Sequence, residues 1–310
     1  MIDITQKIHA LARSHIKTYP CHANRASAIG HECERHLYYM RTAWDQAQPH
    51  DVGLQQVFEE GSIHEAAVLK TLAEAGVDVI EQQMSLFDPH YKISGHVDGV
   101  LAVDNKAVPL EIKSMSAHIW NSIFRDGARR YLWLEVADRF QTRPWLKKYH
   151  AQLTVYMFLK DNDQAVLLCK NKGSGAIAQV DIELDYTFAE ALIQKAERIN
   201  KAVEEEKPPD RIPFSNELCR DCAWNHLCCP DEVAQDPFVT ITDKQLAEWC
   251  QAEYELVDSA NARRRVRENL TAFCKAHTGT TRFIAGDYTL EYNGKVRKTV
   301  KVSKITEVDE

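Results

Sequence analysis

Three cysteines, Cys219, Cys222 and Cys228, fall close together, and Cys33 stands alone near the other end of the chain. Between them, in order, run His64, Asp98, Glu111-Ile112-Lys113, and Gln152 with Tyr156. Thiolates at C-x2-C-x5-C spacing are soft ligands that suit zinc or an iron–sulfur centre. Aspartate and glutamate supply the hard oxygens that Mg²⁺ or Mn²⁺ needs. A lysine two residues after the glutamate can position or activate a water and neutralise developing phosphate charge. These are the parts of a divalent-metal centre for phosphodiester hydrolysis. E-x-K alone occurs by chance in charged chains, so its weight comes from the company it keeps along the sequence.

Those side chains converge only if particular elements carry them. Two extended runs, Tyr91 to Val103 and Val108 to Ser114, flank Asp104-Asn105-Lys106, which is a hairpin signal. With the turn centred between Asp104 and Asn105, Asp98 lies opposite Glu111, and Glu111 and Lys113 share one strand face. Pro109 cannot donate to a ladder, so pairing is expected to start only at Leu110. Pro144 to Leu159 reads as a helix, and Gln152 and Tyr156, four apart, project from one side of it. Further helices are expected within residues 1–20 and over Ala26 to Ala43, with Cys33 and His36 inside the latter, and over Phe58 to Ala75, closed by Gly76. Val77 to Phe87 reads as a strand, and Ser116 to Leu134 as mixed structure. Two more strands are expected over Asp163 to Cys169 and Ala176 to Leu184. A charged helix over Phe188 to Glu206 stops at Lys207-Pro208-Pro209, just before the cysteine loop. Beyond Pro237 the character changes. Asp243 to His277 reads as one long helix, N-capped by Thr242, and Thr281 to Val302 as a hairpin turning at Asn293-Gly294.

The bulk composition narrows the classes. The chain has 310 residues, 45% hydrophobic and 27% charged, enough to bury a sizeable core. No apolar run approaches a membrane span, and Met1 to Tyr19 has no apolar leader, so a cytoplasmic location with no membrane partner is expected. In that reducing compartment, nine cysteines argue for metal binding rather than a disulfide framework. Cys169, Cys250 and Cys274 read as buried small hydrophobes. The net charge of −7 does not advertise a nucleic-acid binder. Basic stretches nevertheless run from Arg125 to Lys148, from Arg263 to Arg267 and from Lys295 to Lys304. They are either solvated helix faces or phosphate contacts, with Arg129, Arg130 and Lys147 the candidates in the first stretch.

The order His, Asp, E-x-K, Q-x-x-x-Y resembles the RecB-like nucleases of the PD-(D/E)xK superfamily, although the proline usual before the aspartate is absent from Gly95-His96-Val97-Asp98-Gly99. The cysteine pattern, with Gly30-His31-Glu32-Cys33-Glu34-Arg35-His36-Leu37-Tyr38-Tyr39, is similar to the iron–sulfur variant found in CRISPR-adaptation exonucleases and in helicase–nuclease machines. The resemblance covers roughly residues 25–230. The segment around Gly286 to Leu290 is also reminiscent of tails on phage recombination exonucleases. The resemblance implies an α/β fold, a restriction-endonuclease-like core with a central mixed sheet flanked by helices, and the change of character near residue 235 divides the chain into this nuclease domain over 1–235 and a C-terminal helix and β-hairpin extension over 236–310. It implies a DNA exonuclease preferring single-stranded or free ends, acting 5′→3′ in recombination, repair or spacer processing, with recombination or integrase proteins as further partners. His64, Asp98 and Glu111 would hold Mg²⁺ or Mn²⁺. Lys113 would assist the water, and Gln152 and Tyr156 would orient the motif or contact DNA. Cys33, Cys219, Cys222 and Cys228 would hold a [4Fe–4S] cluster. A thiol set drawn from both ends of a domain suits a staple, and zinc would staple it equally. Cys229 in place of Cys228, and Cys21 in place of Cys33, remain open. The rival reading is a non-catalytic DNA-binding or assembly subunit of a helicase–nuclease or CRISPR adaptation complex, which metal-dependent degradation of labelled single strands would separate from a nuclease.

Overall fold

The computed structural model describes residues 2–103, 106–230, 239–240, 243–255, 260–277, 282–286, 288–293 and 299–304. The chain divides into two units, Met1–Cys228 and Cys229–Glu310. The first carries all four motif cysteines and every candidate catalytic residue.

Its elements are, in order, α1 (Ile4–His15), β1 (Asn24–Arg25), α2 (Ala26–Ile29), α3 (Glu34–Thr42), α4 (Val52–Glu74), β2 (Val79–Asp88), β3 (Ile93–Val103) and β4 (Lys106–Met115). There follow α5 (Ala117–Ile123), β5 (Arg130–Leu132), α6 (Trp133–Phe140), α7 (Pro144–Leu159), β6 (Gln164–Asn171), β7 (Ile177–Glu183), α8 (Tyr186–Glu204) and the one-turn α9 (Asn225–Cys228). The strands form one mixed sheet flanked by helices, the arrangement expected for the core. β2, β3 and β4 make an antiparallel meander, β4 runs parallel to β6, β6 is antiparallel to β7, and β5 runs parallel to β7. β1 adds two residues parallel to the start of β3, Asn24 beside Ile93 and Arg25 beside Ser94.

The two faces of the sheet are covered by different helices. Val68, Leu69 and Leu72 of α4 sit at helical spacing and pack on Leu101, Val108, Leu110, Ile112 and Leu168. On the larger core, α7 is buried almost all round, from His150 to Met157, as a helix enclosed on all sides must be. Asp51 caps α4, accepting the Leu54 N–H at 2.7 Å. Gly76 follows the helix at φ +74°, a left-handed conformation that glycine adopts without Cβ strain.

Several boundaries differ from the sequence reading for identifiable reasons. The helix expected over Ala26 to Ala43 is two helices, α2 and α3, and Cys33 is the N-cap residue of α3 rather than an interior one. α4 begins earlier than expected because Asp51 supplies its cap. Pairing of β3 with β4 begins at Lys106 beside Val103, not at Leu110, and passes through Pro109. Proline is tolerated there because pairing of β4 with β6 starts only at Leu110.

In the second unit, the segment expected as one long helix is two, Lys244–Glu255 and Ala260–Ala276. They lie side by side, since Arg267 reaches Glu253 at 2.7 Å, far closer than fourteen residues of continuous helix would permit. Asp243 caps the first of them by accepting the Leu246 N–H at 3.1 Å, while Thr242 lies outside the described residues. The expected hairpin exists as Tyr288–Asn293 paired with Thr299–Lys304. Its register places Asn293 opposite Thr299, and the turn expected at Asn293-Gly294 falls on Gly294, outside the described residues. Arg282–Ala285 and Val239–Thr240 extend the pair to a four-stranded sheet. Leu246, Cys250, Leu270, Cys274, Phe283 and Leu290 form this unit's own core. Cys250 and Cys274 are buried here, as Cys169 is in the first unit.

Candidate active site and thiol cluster

The β3–β4 register runs from Gly99 beside Leu110 to Val103 beside Lys106, and the turn expected between Asp104 and Asn105 lies outside the described residues. One further step would set Asp98 opposite Glu111. The backbone ladder stops short of that step, because β4 continues beside β6 from Leu110 onward while β3 stays with β2 and β1. Asp98 closes the fork with its side chain: Oδ2 accepts the Ile112 N–H at 2.8 Å. Along β4, Leu110 and Ile112 join the cluster under α4. The period of two therefore turns Glu111 and Lys113 the other way, toward α7.

There Glu111 is fully buried. Gln152 donates Nε2–H to Glu111 Oε1 at 2.8 Å, and the Lys113 ammonium pairs with the same oxygen. Gln152 also reaches the Tyr156 hydroxyl at 3.1 Å, and that hydroxyl donates to the His96 carbonyl at 2.8 Å. A continuous chain of hydrogen bonds thus runs from β3 through α7 to β4. Gly95 makes it possible, because a Cβ there would stand 2.7 Å from Tyr156 Oη. Among the described residues, Glu111 Oε2 is buried with no hydrogen-bond partner, a state that costs on the order of 1–3 kcal/mol. Burial, opposed by Lys113 and reinforced by Asp98, raises the Glu111 carboxyl to about 7. Burial works against the Lys113 ammonium, but Glu111 and Asp98 outweigh it and hold the group above its ordinary range. The ammonium lies 5.5 Å from the centre of the Tyr149 ring.

The structure brings Asp98, Glu111, Lys113, Gln152 and Tyr156 together as the sequence suggested. His64 has Glu60 as a neighbour at 3.7 Å in its own helix. The next residue, Glu65, is the one whose carboxyl feels the site: burial and Asp98 raise it, and Lys113 lowers it. Gln83 holds Glu65 by a side-chain hydrogen bond. Gln83 is in β2 at the level of Asp98, since its neighbours pair as Gln82 with Gly99 and Met84 with Val97. Its φ of +51° is strained for a non-glycine residue. Sequence reasoning passed over both. Glu65 carried a signal, lying four residues before the core residue Leu69 in α4, whereas Gln83 carried none. Among the described residues, no three His, Cys, Asp or Glu side chains are gathered as a ready-made metal cage.

The basic candidates are engaged elsewhere. Arg129 pairs with Glu135 at 2.8 Å and Asp126 at 3.4 Å and lies over the Tyr131 ring at 3.8 Å. Arg130 pairs with Asp181, and Lys147 with Glu32.

The four motif cysteines are free thiols, and two of them, Cys33 and Cys222, are raised above the ordinary thiol range. Burial raises Cys33, as do Cys228 and Cys219, while the His36 and Arg35 N–H groups lower it. Burial also raises Cys222, against the Trp224 N–H, and Cys33, Cys228 and Cys219 add to the rise. The loop that carries three of them is tied to the N-terminal helices: the Trp224 indole donates to the Ala43 carbonyl at 2.7 Å and the Gln48 N–H to the Ala223 carbonyl at 2.8 Å. Cys21 stands apart, donating to the Ala23 carbonyl at 3.3 Å and neighbouring Arg41.

No helix among the described residues is long and apolar enough to cross a membrane. No family model and no curated protein matches the chain. Among solved structures it is similar to SSO0001, with a TM-score of 0.42 and 16% identity over 74% of this chain and 97% of that one. It is similar to an alkaline exonuclease, LHK-Exo, from Laribacter hongkongensis, with a TM-score of 0.40 and 14% identity over 65% of this chain and 93% of that one. It is also similar to LHK-Exo in complex with dAMP, with a TM-score of 0.35 and 14% identity over 58% of this chain and 91% of that one. Likeness at this level assigns neither a family nor an activity.

Proposed function

We propose that this chain is a divalent-metal-dependent DNA exonuclease. The observation that carries the reading is Glu111, a carboxylate wholly removed from water with one oxygen unpartnered among the described residues, facing the strand fork beside Asp98. A buried oxygen left bare in this way fits a hard cation, and Asp98 and Glu111 are the donors Mg²⁺ or Mn²⁺ prefers. Such a cation supplies Lewis acidity toward a phosphate oxygen and lowers the pKa of water. α4 offers a further donor from Glu65 or His64. Lys113, paired with Glu111, serves as a cationic donor toward the attacking water and the developing phosphate charge. Gln152 fixes Glu111 by occupying Oε1, and Tyr156 fixes Gln152. Phosphate contact by Arg129, Arg130 or Lys147 requires each to exchange a carboxylate partner for the nucleic acid.

The donor chemistry of the thiol set suits an iron–sulfur cluster: four soft sulfurs, Cys33 from one end of the first unit and Cys219, Cys222 and Cys228 from the other. Cys33, Cys219, Cys222 and Cys228 would hold it as a structural staple. A preference for single strands, 5′→3′ polarity and a role in recombination, repair or spacer processing complete the proposal and follow from the sequence resemblance alone. The test is degradation of end-labelled single- and double-stranded DNA by the purified full chain with Mg²⁺, with Mn²⁺ and with EDTA. Nucleotide release that EDTA stops and Mn²⁺ restores is expected. DNA binding without cleavage under all conditions would overturn the enzyme reading in favour of an assembly subunit.

A further inference from the structure

Two histidines join the ends of the thiol set. Cys33 precedes α3, and its backbone N–H donates to His31 Nδ1 at 3.0 Å. On the first turns of α3, His36 places Nδ1 3.4 Å from Cys222 Sγ, across 186 residues of sequence. The two imidazoles lie flat on each other, with centroids 3.9 Å apart and planes 7° from parallel. Trp224, two residues beyond Cys222, meets His36 edge-on at 5.0 Å. Both flanks are anchored: the Trp224 indole on the Ala43 carbonyl, and the backbone before Cys33 by Lys195, whose ammonium donates to the Ile29 and His31 carbonyls at 3.2 Å each. His36 is therefore clamped between His31 and Trp224 with one ring nitrogen aimed at a sulfur.

If Cys222 ligates a metal as a thiolate, it would have no proton to give, and the ring nitrogen at hydrogen-bond distance would be the donor. An N–H donated to a ligating sulfur withdraws electron density from it. That favours the reduced, more negative form of an iron–sulfur centre and orients the ligand. We propose that His36 is a positioning and tuning residue for the metal centre of Cys33, Cys219, Cys222 and Cys228, donating Nδ1–H to Cys222 Sγ, with His31 locking both the Cys33 backbone and the His36 ring. The proposal rests on the iron–sulfur reading of the four cysteines.

The test uses the full chain purified without oxygen, with iron and sulfide assayed and the centre titrated with dithionite under spectroscopic observation. His36→Ala is expected to keep its iron and to titrate at a more negative potential than the wild type. His36→Asn, whose amide N–H can stand where Nδ1–H stood, is expected to recover most of that shift. His36→Ala with full iron and an unchanged potential would overturn the proposal while leaving the cluster in place. If His36→Ala loses iron, His36→Asn decides. Retention of iron at the wild-type potential supports a donor role, and equal loss overturns it in favour of ring packing. Wild-type protein with zinc and no iron overturns the cluster reading and this proposal with it.

Discussion

At the scale of residues, the site is defined by what each polar group lacks or shares. Glu111 Oε1 receives two donors while Oε2 receives none among the described residues, so the side chain is held in place with one oxygen spare. Glu111→Gln keeps the shape but replaces a carboxylate oxygen by an amide. We expect it to lose Mn²⁺ affinity, read by calorimetric titration, and to lose activity by about 10²-fold or more, the scale on which removing one electrostatic stabiliser acts. Lys113→Ala should lose a comparable factor in rate with Mn²⁺ affinity kept, because it acts on the water and the phosphate rather than the ion. Wild-type turnover in either variant would remove these residues from the chemistry. The two candidates on α4 separate in the same assay. Glu65→Gln is expected to weaken Mn²⁺ binding more than His64→Ala, because Glu65 is the one coupled to Asp98 and Lys113.

At the scale of elements, the fork between β3 and β4 does the positioning. β4 leaves β3 to run beside β6, and the carboxylates sit where the ladder opens. α7 holds the fork through Tyr156, whose hydroxyl bonds the His96 carbonyl of β3, and Gln152, whose amide bonds Glu111 of β4. Tyr156→Phe removes the hydroxyl and leaves a β3 carbonyl without that donor. We expect a loss of about 1–3 kcal/mol in urea unfolding, accompanied by a fall in activity as Gln152 loses its second partner. Unchanged stability would mean that water takes the carbonyl over.

At the scale of the whole molecule, the two units keep separate cores. Leu290 is fully buried in the smaller one. Leu290→Ala should cost about 2–5 kcal/mol, and hydrogen exchange should show lost protection within 229–310 and little change in the larger unit. The thiol set acts on the larger unit. Cys33→Ser is expected to lose iron and to lower that unit's melting temperature together, since metal binding is coupled to folding. Cys21→Ser, at a thiol that bonds the Ala23 carbonyl instead, should keep its iron. Equal iron in both variants would remove Cys33 from the ligand set.

The sequence by itself determined whatever depends on local period and composition. The pairing of β3 with β4, the helix over Pro144–Leu159 and the burial of Cys169 all follow from alternation, helical spacing and apolarity, and the structure bears them out. What only the tertiary structure decided are the matters of long range. That Glu65 lies in the field of Asp98 depends on how α4 packs across the sheet. Gln83 joins the site through a strained backbone angle that residue type does not announce. Arg129, Arg130 and Lys147 make a basic run in sequence, yet each finds its own carboxylate in the fold, because charge pairing depends on separation in space. The stacking of His31 on His36, and the reach of His36 to a cysteine 186 positions away, likewise exist only once the chain has closed on itself.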